Sequence, residues 1–329
     1  MSNLEQHPDE VDHPAANGTA RGVEILTPRE VPLGGPRAML VRRTLPQHQR
    51  SLVGAWCFAD HYGPHDVRAG GGMDVPPHPH TGLQTVSWLF SGEVGHRDSA
   101  GVHALVRPGE LNLMTAGAGI CHSEVSTAST AMLHGVQLWV ALPDAHRDAD
   151  RRFDHYVPTP VSRTGAIVRV FLGTLDGVSS PVQTFSPLLG AQIDLGAGAR
   201  LVLDVDPTFE HGVLVDKGRV AMDDTAVNVT ELAYRAAGSS SLELRNTGDR
   251  PARVLVLGGT PFTEELVMWW NFVGRSHEDI ATYREQWQQH DPRFGEVSGY
   301  RPGTQGVPVR LPAPRLPSTR LRPRRPHRP

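Results

Sequence analysis

Apolar positions in this chain fall in short runs with strand character, from about residue 21 almost to its end. "QTVSWLFSGEVGHRDS" (84–99) is rich in β-branched and aromatic residues and breaks at Ser91-Gly92. "HALVRPGELNLMTAGAG" (103–119) reads as strand, Pro-Gly turn, strand and glycine-rich turn. "MLHGVQLWVAL" (132–142) is another apolar strand, long enough to be buried on both faces. No amphipathic helix is predicted in this half. The style returns in "AIVRVFLGTL", "AQIDLGAGARLVLDVD", "GVLVDKGRVAMDD", "NVTELAYRAAG", "SSLELRN" and "RVLVLGGTPF". One helix is predicted, over 276–289 ("SHEDIATYREQWQQ"). Ser276 can cap it, and Glu278 and Asp279 lie in the first turn, where the helix dipole favours acids.

The two halves resemble each other. "WLFSGEV" and "VLVDKGRV" read as one hairpin in two copies, with Gly92 matching Gly218, and "RPGELNLM" matches "NVTELAYR" as the next strand. Two similar β-modules predict a duplicated sandwich or barrel. Residues 143–165, charged and with three prolines, read as the connection between them. The aromatic "VMWWNFVG" (267–274) is expected to pack the helix onto the barrels. The expected division is a disordered 1–20, β-domains at 21–150 and 151–275, a helix with its extension at 276–300, and a disordered tail at 301–329.

Charge is unevenly placed. The formal net charge is -3, and residues 301–329 hold eight Arg and no acid, so residues 1–300 carry -11 (-3 minus 8). An acidic body argues against specific nucleic-acid binding. The Pro- and Arg-rich tail lacks the apolar residues to fold alone. Lys217 is the single lysine, which reflects base-composition bias. No apolar run reaches the length of a membrane span, and the polar N-terminus lacks the pattern of a secretory signal. With only Cys57 and Cys121, a reducing, cytoplasmic setting is expected.

"HPHTGLQTV" (78–86) carries the first chemistry. His78 and His80 are two apart, so on a strand both rings face one way, and Pro79 between them suits a strand start or edge. "AGAGICHSEV" supplies His122 and Glu124 at the same spacing. If the two strands are neighbours in one barrel, three imidazoles and a carboxylate converge. That set suits iron(II), Mn, Ni, Cu or Zn and leaves positions on an octahedral ion for substrate or oxygen.

The string "GGMDVPPHPHTGLQTVSWLFSGEVGHRDSAG", with "RPGELNLMTAGAGICHSE" and "GVQLWVALP", resembles the pirin family over roughly residues 25–290. The resemblance implies an all-β fold of two packed cupin (jelly-roll-like) barrels with a C-terminal helix. It implies one metal, usually iron, in the first barrel, on His78, His80, His122 and Glu124. It further implies quercetin 2,3-dioxygenase activity on a flavonol-like substrate with dioxygen, Glu124 acting as general base. The alternative it carries is a metal- or redox-dependent regulator that binds a transcription factor or metabolic enzyme. Many relatives have Glu four residues after the second histidine, where this chain has Gln84, so Gln84 is assigned to packing or to support of the ligands.

Projecting the spacing onto the second half gives Asp204 and Asp206, then Glu243 and Arg245, with no histidine and a repelling guanidinium, so no metal is expected there. His211 reads as a surface or packing residue, His61 and His65 as loop residues, and His96 as a hairpin hydrogen-bonding element. Cys121 should point away from the metal. No GxSxG nucleophile motif occurs.

Overall fold

The two glycines that match across the repeat both need a conformation closed to other residues. Gly92 and Gly218 have φ of 87° and 91°. A Cβ would lie 2.6 Å from Met132 O in the first case and 2.7 Å from Ala252 Cα in the second. Each therefore turns its hairpin tightly against the start of an equivalent strand. This is seen in a computed structural model, which describes residues 22–32, 39–302 and 308–323.

Each half folds as a seven-stranded antiparallel sheet facing a four-stranded one. In the first, the large sheet runs Arg152–Tyr156, Leu111–Thr115, Leu83–Ser91, Met132–Ala141, Trp56–Asp66, Leu40–Leu45, Arg29–Pro32. Its small sheet runs Asp74–His80, Ile120–Ser126, Val94–Asp98, His103–Val106. In the second, the large sheet runs Glu24–Leu26, Leu232–Arg235, Glu210–Lys217, Ala252–Gly259, Leu188–Leu195, Ala166–Leu172, Val161–Arg163. Arg200–Asp204, Ser241–Asn246, Val220–Met222 and Thr225–Val227 form its small sheet.

The edge strands depart from the expected division. Glu24–Leu26, placed by sequence in the first domain, pairs with Leu232–Arg235 of the second barrel. Arg152–Tyr156, read as connection and second domain, pairs with Leu111–Thr115 of the first. Each barrel is thus finished by chain from beyond its own boundary. Charge runs and prolines mark surface exposure, and an edge strand satisfies that as well as a linker does. No amphipathic helix is expected in the first half; among its described residues the α-helix present is the four-residue Val67–Gly70, capped by Asp66. The expected disorder of 1–20 lies outside the described residues.

The large sheets pack face to face through one continuous apolar cluster. Trp88 stacks on Phe171 across it, ring centres 4.5 Å apart, and donates its indole N–H to Gln192 Oε1 at 2.9 Å. Trp56 donates to Leu189 O and Gly258 O. Inside the second barrel a separate cluster is almost wholly aliphatic. Its small sheet turns Leu201, Leu203, Leu242 and Leu244 inward. The projected pocket residues lie one register off: Arg245 and Glu243 face outward, and Glu243 pairs with exposed Arg200. The guanidinium therefore does not enter the barrel, and leucines occupy the positions it was assigned.

The predicted helix spans His277–Gln288, with Ser276 and Asp279 forming a reciprocal capping box. It buries Ile280, Tyr283 and Trp287 against the first barrel, together with the hairpin Val267–Trp269 and Phe272–Gly274. The tail departs from expectation, since residues 308–323 lie on this helix. Leu311, Ala313 and Leu321 are buried there, Leu311 N donates to Pro77 O, and Trp287 Nε1 donates to Leu311 O. Three small apolar residues in a Pro/Arg-rich segment use the groove that the helix already offers, so the tail does not need a core of its own. Residues 303–307 and 324–329 lie outside the described residues.

Two consequences are measurable. Truncation after residue 302 should cost about 2–4 kcal/mol, from exposing the leucines and the Trp287 face, read as a lowered denaturant midpoint; an unchanged midpoint would show that the strap adds nothing. The second concerns His211, fully buried in the second barrel, where burial and then Arg235 lower its pKa from 6.5 to about 4. The unfolded chain takes up this proton near 6.5 and the folded one only near 4. Stability from this residue is therefore complete above pH 6.5 and is lost as pH falls toward 4, by about 3 kcal/mol at most. His211→Gln should flatten that part of the pH–stability curve, measured by urea unfolding at several pH values.

Candidate metal centre

Three prolines shape the strand that carries the first histidine pair. In "DVPPHPH" (Asp74–His80), Pro76, Pro77 and Pro79 cannot donate ladder hydrogen bonds. Pairing with Ile120–Ser126 puts His122 opposite His78 and Ile120 opposite His80. The register then slips, so that Glu124 faces Val75. Two residues, Pro76 and Pro77, oppose Ser123 alone, and this bulge sits beside the histidines.

The three imidazoles are fully buried, and their ligating nitrogens lie within 4.8 Å of one another. Each ring is oriented through Nδ1. His78 Nδ1 donates to Pro76 O at 2.8 Å, and His80 Nδ1 donates to Asn271 O at 3.1 Å. His122 Nδ1 lies 3.4 Å from His96 Nδ1, while His96 Nε2 lies 3.1 Å from Asp98 Oδ2. Asp98 Oδ1 accepts two backbone N–H groups, from Ala100 and Val102. With Asp98 so fixed, His96 donates to it through Nε2 and accepts the His122 Nδ1–H. All three ligand-set histidines therefore keep bare Nε2 lone pairs turned inward. His80 Nε2 and His122 Nε2 are 3.1 Å apart, and His78 Nε2 has no hydrogen-bond partner. Lone pairs that face each other in a dry site repel unless an electrophile lies between them, and a metal cation fits that need. Burial lowers all three pKa values well below the ordinary range, and for His122 the charge of His78 adds to this. The rings are neutral, as ligation requires.

Glu124 is buried beside His122 and His96, a carboxylate oxygen lying within 4.8 Å of a ring nitrogen of each in a second trio that shares only His122 with the first. Ser87 Oγ lies 3.2 Å from Glu124 Oε1 and 2.9 Å from Gln137 Oε1. Around Ser87 a polar row crosses the large sheet. Asn112, Ser87, Gln137, Asp60 and Arg43 are direct cross-strand neighbours, and all are buried. Arg43 and Asp60 satisfy each other through two bonds of 2.7 and 2.8 Å. Asn112 Nδ2 and Oδ1 and Gln137 Nε2 have no protein partner. Trp139, stacked on Phe58 at 4.0 Å, presents its ring to His80. Burial, followed by the charge of Glu124, pushes the Tyr62 phenol well above its usual range, so it stays protonated. The site is buried, half polar and half aromatic, with bare nitrogens at one end and unpaired amide groups along one wall.

The comparisons with known proteins can be set against this geometry. The model of the pirin family matches residues 38–140, and that of the pirin C-terminal cupin domain matches 190–295. The chain belongs to the pirin family. A Pseudomonas aeruginosa protein named "Putative quercetin 2,3-dioxygenase PA1205" is 42% identical over 298 residues, 90% of this chain and 91% of its own. A crystal structure of quercetin 2,3-dioxygenase from Acinetobacter baumannii superposes with a TM-score of 0.84 at 37% identity, over 92% of this chain and 97% of that one. Bacterial pirin YhhW from Escherichia coli, solved in complex with nickel(II), shares the fold at 17% identity and a TM-score of 0.56, over 73% of this chain and 100% of that one.

In this pirin, then, the fold brings His78, His80 and His122 together and sets Glu124 next to His122. Gln84 lies on the other face of its strand, with Val86 and Trp88, and donates to Thr115 Oγ1 at 2.9 Å. The chamber side of that strand is held by Thr85 and Ser87. Cys121 points away, toward Gly295 O, and burial raises its thiol pKa to about 11, so it stays an inert thiol. His61 and His65 belong to the strand Trp56–Asp66, which corrects the loop reading; His65 Nε2 bonds Gly71 O, and His61 turns to the second barrel. Sequence reasoning missed the His96–Asp98 support, the Asn271 carbonyl and the polar row. "HRD" did hold a signal for the first, because His and Asp two apart on a strand share a face. The other two depend on long-range pairing. Among the described residues no helix is long and apolar enough to cross a membrane.

Proposed function

We propose that the protein is a metal-dependent dioxygenase of flavonol-type enediols, with iron(II) held by His78, His80, His122 and Glu124. The observation that carries this reading is the inward convergence of three buried, bare Nε2 atoms beside the unpaired amides of Asn112 and Gln137. The names of the Pseudomonas and Acinetobacter relatives support the substrate class. A metal bound there would supply Lewis acidity toward vicinal substrate oxygens and an electron route to dioxygen.

The chain's own residues do the rest. Glu124 takes the proton of the substrate's enolic hydroxyl as general base, while Ser87 holds its Oε1 in place. Asn112 and Gln137 offer donors and acceptors to the hydroxyls of a planar polyphenol. Trp139 and Phe58 give that ring an apolar wall. Tyr62 remains a phenol and so takes no proton from the substrate. The 267–274 hairpin fixes His80 through the Asn271 carbonyl and pairs with the end of its strand at Thr81.

The reading predicts that His122→Ala loses both bound metal and quercetin turnover, followed by metal analysis and flavonol absorbance under air. Glu124→Gln should cut kcat by roughly 10²–10⁴-fold while flavonol still binds. Iron-loaded wild-type protein with no turnover on several flavonols would sink the enzyme and leave a regulatory role as the better account.

A further inference from the structure

A second group of ligand-type side chains lies outside the chamber, where the barrels meet. His61 and His134 come from the first barrel, on the strands Trp56–Asp66 and Met132–Ala141. Asp216 comes from the second, on Glu210–Lys217. Their ligating atoms lie within 4.8 Å of one another. His61 Nε2 is 2.8 Å and His134 Nε2 is 2.7 Å from the same oxygen, Asp216 Oδ1. The repeat makes this asymmetric: counted from the matched hairpin glycines, Asp216 stands where the first barrel has Phe90. Phe90 packs edge-on against His134, with ring centres 4.9 Å apart.

Three features separate this cluster from an ordinary interface ion pair. First, two imidazole nitrogens, His61 Nε2 and His134 Nε2, converge on the single oxygen Asp216 Oδ1. Asp216 Oδ2 makes no hydrogen bond and meets Arg253 NH1 at 3.5 Å. Second, His134 and Asp216 both sit where the ladder slips register, at bulges that re-aim side chains. Third, the cluster lies near the surface: His61 and Asp216 are buried, and the His134 side chain is 14% exposed although its Nε2 is buried. The two imidazoles overcome the burial of Asp216 and hold its carboxyl well below the ordinary range, so it is ionised.

We propose that His61, His134 and Asp216 form a second transition-metal site, of the zinc or cobalt(II) class, that clasps the two barrels together. Two imidazoles and one carboxylate are a donor set for such ions, with the remaining positions open to water. Two arginines lie nearby, and neither occupies the centre. Arg253 NH1 is 3.5 Å from Asp216 Oδ2, away from the oxygen the histidines share, and its Nε donates to Asp194 Oδ1 at 2.9 Å, a carboxylate shared with Arg169. Arg42 NH2 approaches His61 Nδ1 at 3.2 Å and also donates to Gly63 O. Metal at Nε2 shifts the ring proton to Nδ1, so Arg42 gives up that nitrogen and keeps the carbonyl.

The test separates this site from the chamber. The full-length protein, stripped with a chelator and with His78 and His122 both changed to Ala, should still bind one equivalent of zinc in equilibrium dialysis, at micromolar affinity or tighter. Zinc should raise its thermal midpoint, and cobalt(II) should give a visible d–d spectrum. Adding Asp216→Asn or, separately, His134→Gln should abolish all three signals; the partly exposed His134 position keeps the result readable if the Asp216 change prevents folding. The proposal is overturned if the double variant binds no zinc, or if its equivalent survives both substitutions. Neither outcome depends on dioxygenase activity.

Discussion

A buried imidazole has two nitrogens, and each must be accounted for. In the first barrel that requirement organises everything around the centre. Nδ1 of His78 is tied to its own strand, Nδ1 of His80 to the turn at Asn271, and Nδ1 of His122 to His96 and through it to Asp98. Only when those three bonds are made do the Nε2 atoms turn inward. The hairpin from near the C-terminus and the strand Val94–Asp98 are therefore part of the centre, although neither supplies a residue of the predicted ligand set. Ligand orientation here is a long-range product of the fold, assembled from segments about 190 residues apart in sequence.

One topology, used twice, encloses two different interiors. The second barrel is filled by Leu201, Leu203, Leu242, Leu244 and their valine neighbours, and it is stable for the ordinary reason that apolar area leaves water. The first places Arg43, Asp60, Gln137, Ser87 and Asn112 in one row across its sheet. Burying such a row is costly wherever a partner is missing. Arg43 and Asp60 offset each other, whereas the amides of Asn112 and Gln137 keep unsatisfied atoms toward the chamber. That residual polarity distinguishes the first interior from the second, which is filled by aliphatic side chains. The aliphatic barrel and the apolar face between the large sheets act as the rigid support against which the polar one is held.

Much of this was legible in the residues. Paired histidines two apart, matched hairpin glycines and the Ser276 cap are local signals, and each corresponds to a local geometry in the structure. Signals failed where pairing between distant segments decides the outcome. The projection onto the second barrel failed by one register, and in a strand one residue exchanges the inner face for the outer. Of the two roles open to Gln84, packing and support of the ligands, strand pairing selects packing, since it shares a face with Trp88 and not with Ser87. The tail was read by composition, but its few apolar residues find a groove already formed by Trp287 and its neighbours. His61 looked like part of a loop because glycine and proline surround it, and its partner, Asp216, lies 155 positions away.

The exchanged edge strands bear on how such a chain can change. Glu24–Leu26 closes the flank of the second sheet, and Arg152–Tyr156 closes the flank of the first. The halves look like interchangeable modules, yet a cut between them leaves each with a bare row of backbone donors and acceptors and an orphaned strand. Neither half is therefore a cassette that recombination could lift out and place elsewhere. The crossed strands make the two barrels one structural body, whose interiors can differ while their flanks stay joined.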